Sequence, residues 1–120
     1  MAAQVLVVDD DVATRAALLM TLQCEDHAAD AVADGRAALA YLRSHPAPRL
    51  ILLDLMMPRM DGWQFLVERR REAALAAIPV VLFTAAGGID APAARALGAD
   101  DVLHKPADIS AVLTVVRRYC

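Results

Sequence analysis

The chain has 120 residues, enough for one domain with a real core and no need of staples. Its hydrophobic fraction is 58%, much of it alanine, and no apolar run approaches the ~20 residues of a spanning helix, so a membrane is not expected as a partner. A net charge of −3 argues against direct binding of nucleic acid. The start, Met1-Ala2-Ala3-Gln4, lacks a basic region, and Asp9, Asp10 and Asp11 cut short the apolar run that follows. No signal peptide is therefore expected, and a cytoplasmic location is. Cys24 and Cys120 then read as two free thiols.

Short apolar runs alternate with longer helical stretches. The first run, 5–8, precedes a helix over 12–23 with Asp11 as its cap. A weaker run, 28–32, contains Asp30 and is placed at a sheet edge; Gly35 opens a helix over 36–44. The run 50–53 precedes a helix over 62–74. The run 79–83 precedes a helix over 89–97 closed by Gly98. The run 102–104 precedes a final helix over 109–119 capped by Asp108. Five strands alternating with five helices predict a doubly wound α/β fold, a five-stranded parallel sheet covered on both faces. The first, third and fourth runs are continuous and rich in Val, Leu and Ile, as buried parallel strands are. The elements use up residues 1–120, so a single domain is expected, more readily a stand-alone protein than one cut from a longer chain.

Open parallel sheets bind ligands beyond the carboxyl ends of their strands. The first run ends in Asp9, Asp10 and Asp11, the third in Asp54, the fourth in Thr84 and the fifth in Lys105. Lys105 is the only lysine in a chain with eleven arginines, and a lysine acts on phosphate as a compact point charge. Clustered carboxylates repel one another unless a cation joins them, and Mg²⁺ takes one or two carboxylates together with phosphate oxygens. An Asp can be a nucleophile that forms an acyl phosphate. The set points to phosphoryl transfer onto a carboxylate. His27, His45 and His104 have no ligand spacing. The run Arg69 to Arg71 reads as a solvated helix face, and Trp63 as a packing residue.

The chain resembles the response-regulator receiver family over its full length. The matching pieces are Val5-Leu6-Val7-Val8-Asp9-Asp10-Asp11, Leu52-Leu53-Asp54-Leu55-Met56-Met57-Pro58 and Met60-Asp61-Gly62. Pro79-Val80-Val81-Leu82-Phe83-Thr84-Ala85 and Gly98-Ala99-Asp100-Asp101-Val102-Leu103-His104-Lys105-Pro106 follow in order. The resemblance implies a flavodoxin-like (βα)5 fold of strand order 2-1-3-4-5. It implies that Asp54 is the phosphoacceptor and that Asp9, Asp10, Asp54 and the backbone carbonyl of Met56 hold Mg²⁺. Thr84 and Lys105 would bind the phosphoryl oxygens, and Pro106 would follow a cis peptide. Pro58 and Gly62 suit a rigid loop with no room for a side chain.

The implied function is a phosphorylation-switched receiver of a two-component phosphorelay, a signalling domain that assists its own phosphotransfer and dephosphorylation. Its partners would be a histidine kinase or histidine phosphotransfer protein, and a downstream target or output domain. The apolar first helix suggests docking of a helical phosphodonor, or of a second copy in a homodimer, with Leu19 or Met20 exposed. Two alternatives stand beside this. A haloacid-dehalogenase-type aspartyl-phosphate hydrolase also uses Asp, Mg²⁺, Thr and Lys, and Asp9-x-Asp11 superficially resembles its opening motif, although its nucleophile ends the first strand. A receiver-like module binding partners without phosphate is the other. The chain departs from the family at Val102, where an aromatic residue usually reports the movement of the threonine.

Overall fold

The computed structural model describes residues 3–120. Met1 and Ala2, where the leader reading begins, lie outside the described residues. The elements in chain order are β1 (Val5–Val8), α1 (Val12–Cys24), β2 (Ala29–Val32), α2 (Gly35–Ser44), β3 (Leu50–Leu53), α3 (Gly62–Arg70), α4 (Ala73–Ala76), β4 (Val80–Thr84), α5 (Ala91–Ala96), β5 (Asp101–His104) and α6 (Ile109–Tyr119). All strand pairings are parallel, in the order β2-β1-β3-β4-β5. Every residue of β1, β3 and β4 is buried, which is why those runs are apolar without alternation. β2 lies at the edge, with Asp30 turned to solvent.

The strand period of two divides the core in half. Leu6, Val8, Ile51, Leu53 and Leu82 pack on one face against α2, α3 and α5 through Leu39, Phe65, Leu66 and Ala94. Val5, Val7, Leu50, Leu52, Val81 and Phe83 pack on the other against α1 and α6 through Leu18, Leu22, Val112 and Val116. Cys24 and Cys120 are free thiols.

Five helices begin the same way. Asp11, Asp34, Asp61, Asp90 and Asp108 each accept the backbone N–H three residues on, and Asp61 completes a reciprocal capping box with Gln64. Asp34, rather than Gly35, caps α2. Gly35 is instead its first helical residue. The helix expected over 62–74 is two helices. Glu72 is extended at φ −113°, so α3 ends and α4 starts afresh; its carboxylate accepts from Arg43 at 2.9 and 3.0 Å. The fourth expected helix, 89–97, is shorter, because Asp90 caps it at Ala91. Gly98 follows it at φ +98°, where a Cβ would also strike the Arg70 guanidinium at 2.6 Å.

Two residues lie elsewhere than their neighbours in sequence suggest. Trp63 is exposed: it sits in the first turn of α3, while Phe65 and Leu66 take the core face. Arg69 is not on a solvated face but is 4% exposed. It follows Phe65 by four residues and Leu66 by three, which fixes it on the buried stripe. Its guanidinium donates to the carbonyls of Ala76 at 3.0 Å, Ile78 at 2.5 Å and Gly98 at 3.4 Å, while its Nε has no partner among the described residues.

Candidate functional site at the carboxyl edge of the sheet

Register places the acidic residues side by side. Val8 pairs with Leu53, so the residues after them, Asp9 and Asp54, leave adjacent strands together. The Asp54 N–H donates to the Val8 carbonyl at 2.9 Å, and the Asp9 N–H to that of Val32 at 3.1 Å. On the far side Thr84 pairs with His104, which sets Lys105 one residue beyond the sheet; its N–H donates to the Thr84 carbonyl at 2.9 Å. The Lys105–Pro106 peptide is cis.

Asp9 and Asp54 are buried at 2% and 6% exposure, whereas Asp10 is open to solvent. Asp9 Oδ1 accepts the Asp11 N–H at 2.9 Å, and Asp9 Oδ2 accepts Lys105 Nζ at 2.6 Å. Asp54 Oδ2 accepts the same ammonium at 3.3 Å, and Asp54 Oδ1 the Met56 N–H at 3.3 Å. Burial works against the Lys105 charge, but the Asp9 and Asp54 carboxylates outweigh it, and the ammonium is held above the usual lysine range. Its Nζ also lies 5.3 Å from the centre of the Phe83 ring. Thr84 is fully buried, and its Oγ1 accepts the Ala86 N–H at 3.1 Å. The hydroxyl proton is left to be donated.

A divalent cation fits this donor set. One carboxylate oxygen from each of Asp9, Asp10 and Asp54 can be chosen so that all lie within 4.8 Å of one another. Three carboxylates against one ammonium leave two negative charges, a set of hard oxygen donors suited to Mg²⁺. The structure thus brings together Asp9, Asp10, Asp54, Thr84 and Lys105 at one edge, with the Met56 backbone beside Asp54. Asp11 stands apart as the α1 cap, its carboxylate also accepting the Thr14 hydroxyl. Arg15 was not singled out from the sequence, yet Nη1 holds the Asp9 carbonyl at 2.8 Å. Its only sequence signal is its place one turn beyond Asp11.

The family model for the response regulator receiver domain matches residues 5–117. This chain belongs to that family. The receiver is 44% identical over 121 residues to the response regulator protein FleR of Pseudomonas aeruginosa, covering 99% of this chain and 25% of FleR. It spans less than half of the other two leading curated relatives, 47% and 42%. Among solved structures it is similar to the chemotaxis protein CheY4 of Vibrio cholerae, with 29% identity, a TM-score of 0.88 and full coverage of both chains. It is also similar to the Mn²⁺-bound form of response regulator Rcp1, with 31% identity and a TM-score of 0.77, over 95% of this chain and 88% of that one. The receiver is a domain of two-component signalling with the flavodoxin-like order, and the hydrolase alternative finds no support in these relatives. Among the described residues no helix is long and apolar enough to cross a membrane.

Proposed function

We propose that the receiver accepts a phosphoryl group on Asp54 and changes its partner binding in response. The observation that carries this reading is the shared ammonium: Lys105 Nζ spans the carboxylates of Asp9 and Asp54 while Asp10 remains open beside them. Asp9, Asp10, Asp54 and the Met56 carbonyl would hold Mg²⁺. Bound there, the ion would neutralise carboxylate and phosphoryl oxygens together. That a similar response regulator, Rcp1, has a Mn²⁺-bound form supports the reading of a divalent ion here.

In the transfer, an Asp54 carboxylate oxygen attacks the phosphorus of a phosphohistidine. The P–N bond breaks, the imidazole leaves with the electron pair, and an acyl phosphate remains on Asp54. Lys105 then pairs with a phosphoryl oxygen, and Thr84 donates its hydroxyl proton to another. Little covalent work falls to the protein, so positioning and charge carry most of the rate. The later hydrolysis, in which water takes the phosphoryl group, is the receiver's own slow step and not turnover of an outside substrate. Asp9 is the poorer nucleophile by comparison, since its oxygens hold the Asp11 N–H and Lys105 Nζ at 2.9 and 2.6 Å, whereas the Met56 N–H and Lys105 Nζ lie 3.3 Å from those of Asp54.

The donor would be a histidine kinase or histidine phosphotransfer protein in the cytoplasm, docking on α1. Met20 and Val12 are exposed there at 68% and 69%; Leu19 is half-buried against the core. The same face could pair two copies, and a downstream protein or output domain would read the phosphorylated state. Incubation with acetyl phosphate and Mg²⁺, followed by intact mass and peptide mapping, tests the acceptor. One base-labile phosphoryl group on Asp54, lost in Asp54→Asn, is expected. Labelling of Asp54→Asn at the wild-type level, with loss in Asp9→Asn, would overturn the assignment.

A further inference from the structure

The loop that carries Met56 leaves β3 and returns to α3, and it is held from outside. Leu55 and Met57 are buried in the core, so Met56 sits between two anchored side chains. Farther along, Arg59 has a left-handed backbone at φ +64°, a conformation costly for a residue with a Cβ. Such a conformation persists where its surroundings impose it. Here they are on α2, outside the carboxylate cluster. Arg59 Nε donates to Asp34 Oδ2 at 2.5 Å, and Asp34 is 5% exposed. The other oxygen of Asp34 accepts the Ala37 N–H at 2.8 Å, so the carboxylate is fixed to α2 on one side and to the loop on the other. The next residue, Gly35, donates its N–H to the Met60 carbonyl at 2.9 Å. A Cβ on Gly35 would stand 2.9 Å from that carbonyl and 2.6 Å from Met60 Cγ. The loop therefore lies against bare backbone at the start of α2. This contact is on the same sheet edge as the site, because Val32, two residues before Asp34, accepts the Asp9 N–H.

We propose that Asp34 and Arg59 are positioning residues for the divalent cation: their ion pair, with the Gly35–Met60 contact, straps the β3–α3 loop to α2 so that the Met56 carbonyl is presented to the carboxylate cluster. The inference rests on the reading of that cluster and of Met56 as the metal site. Partners that orient a ligand without touching the metal commonly set affinity within a factor of 10 to 100. The strap ranks at the low end, because Arg59 is exposed on one side.

The sign of the effect separates positioning from plain electrostatics. Removing the Arg59 cation makes the surroundings of the site more negative, which by charge alone tightens binding of Mg²⁺. Loss of positioning weakens it. The experiment is a Mg²⁺ titration followed by the ¹H–¹⁵N NMR spectrum of the folded receiver, for wild type, Arg59→Gln, Arg59→Lys and Asp34→Asn. Asp10→Asn reports on the site itself, and Glu72→Gln, which breaks the exposed Arg43 pair, controls for lost ion pairing. Arg59→Gln and Asp34→Asn are expected to raise the Mg²⁺ Kd about tenfold, Arg59→Lys to restore part of it, and Glu72→Gln to leave it unchanged. An unchanged or lower Kd in Arg59→Gln overturns the strap while the metal site stands, provided wild type binds and Asp10→Asn binds weakly. If wild type and Asp10→Asn bind alike, the metal-site reading itself fails and the strap falls with it.

Discussion

If Asp54 carries the phosphoryl group as proposed, the side chains expected beside the approaching water are Met56, half exposed, whose N–H donates to Asp54, and Ala86, partly buried, whose N–H donates to Thr84. Neither a thioether nor a methyl group can orient a water by a strong hydrogen bond. Alignment of the attacking water is a large part of catalysis in phosphoryl transfer. The phosphorylated receiver is therefore expected to be long-lived, and Met56→Asn with Ala86→Glu to shorten its life by roughly tenfold or more. Release of phosphate after removal of the donor, with Mg²⁺ present, measures this; equal rates for the two proteins would sink the argument. Asp10 poses a different question, because it crowds two buried carboxylates that share one ammonium. Without metal, Asp10→Asn relieves repulsion and should raise unfolding stability by up to about 1 kcal/mol. With excess Mg²⁺ the order should invert, since wild type gains binding energy that the variant has lost. Urea unfolding with and without Mg²⁺ gives both comparisons.

Among the elements, α2 shows how a cap becomes part of a site. The Ala37 N–H holds the Asp34 carboxyl below the usual carboxylate range, burial pulls the other way, and Arg59 adds to the lowering. A carboxyl whose folded pKa is depressed contributes stability that is present above its unfolded pKa and is lost as pH falls through the folded one. Asn caps a helix about as well as Asp. Asp34→Asn should thus cost about 1 kcal/mol near neutral pH, a modest figure because Arg59 is largely exposed. The difference should fade as pH drops below about 4. Unfolding of both proteins from about pH 2 to about pH 7, a range that spans the ordinary aspartate value of roughly 3.9, checks the window. A gap that persists at the acid end would assign the cost to packing and not to charge. The start of α3 depends on space instead. A Cβ on Gly62 would lie 2.5 Å from the Asp54 carbonyl oxygen and 2.7 Å from Leu55 Cα, and the Gly62 N–H donates to the Leu55 carbonyl at 2.9 Å. Helix α3 can approach the end of β3 this closely only on a bare backbone.

At the scale of the whole molecule, the edge of the sheet opposite the site is held by Arg69. Its guanidinium gathers carbonyls from the α4–β4 turn and the α5–β5 turn while its backbone belongs to α3. Burial lowers its pKa, with the Asp100 carboxylate opposing that and Arg70 adding to it. Arg69→Met keeps much of the apolar stem but strands three carbonyls at the sheet edge. Leaving buried polar groups unpaired costs about 1–3 kcal/mol each where water cannot replace the partner. A loss of about 3 kcal/mol in chemical unfolding is expected, with acetyl phosphate labelling of Asp54 retained in the folded fraction. A loss below about 0.5 kcal/mol would mean that water serves these carbonyls as well as the arginine does.

The strand order was implied by the receiver resemblance, whereas the buried character of β1, β3 and β4 and the residues at their carboxyl ends were legible in the sequence itself. These last depend on local chemistry: apolar runs that need burial on both faces, and polar residues placed where those runs stop. The caps Asp34, Asp61 and Asp90 carried the same signal, an Asp just before each helical stretch, but Gly35 drew attention from the first of them. Tertiary structure alone decided the rest. The helix expected over 62–74 ends at Arg70, where Glu72 turns extended and its carboxylate meets Arg43 on α2. The burial of Arg69 needed carbonyls from two other turns, and the strap needed Asp34 to meet Arg59, 25 residues away. The single ammonium shared by Asp9 and Asp54 joins residues 96 and 51 positions apart. Sequence fixes which groups are present and which backbone each prefers. Which distant charges share a hydrogen bond is set only when packing brings their elements within a few ångströms, because that is the range over which such bonds act.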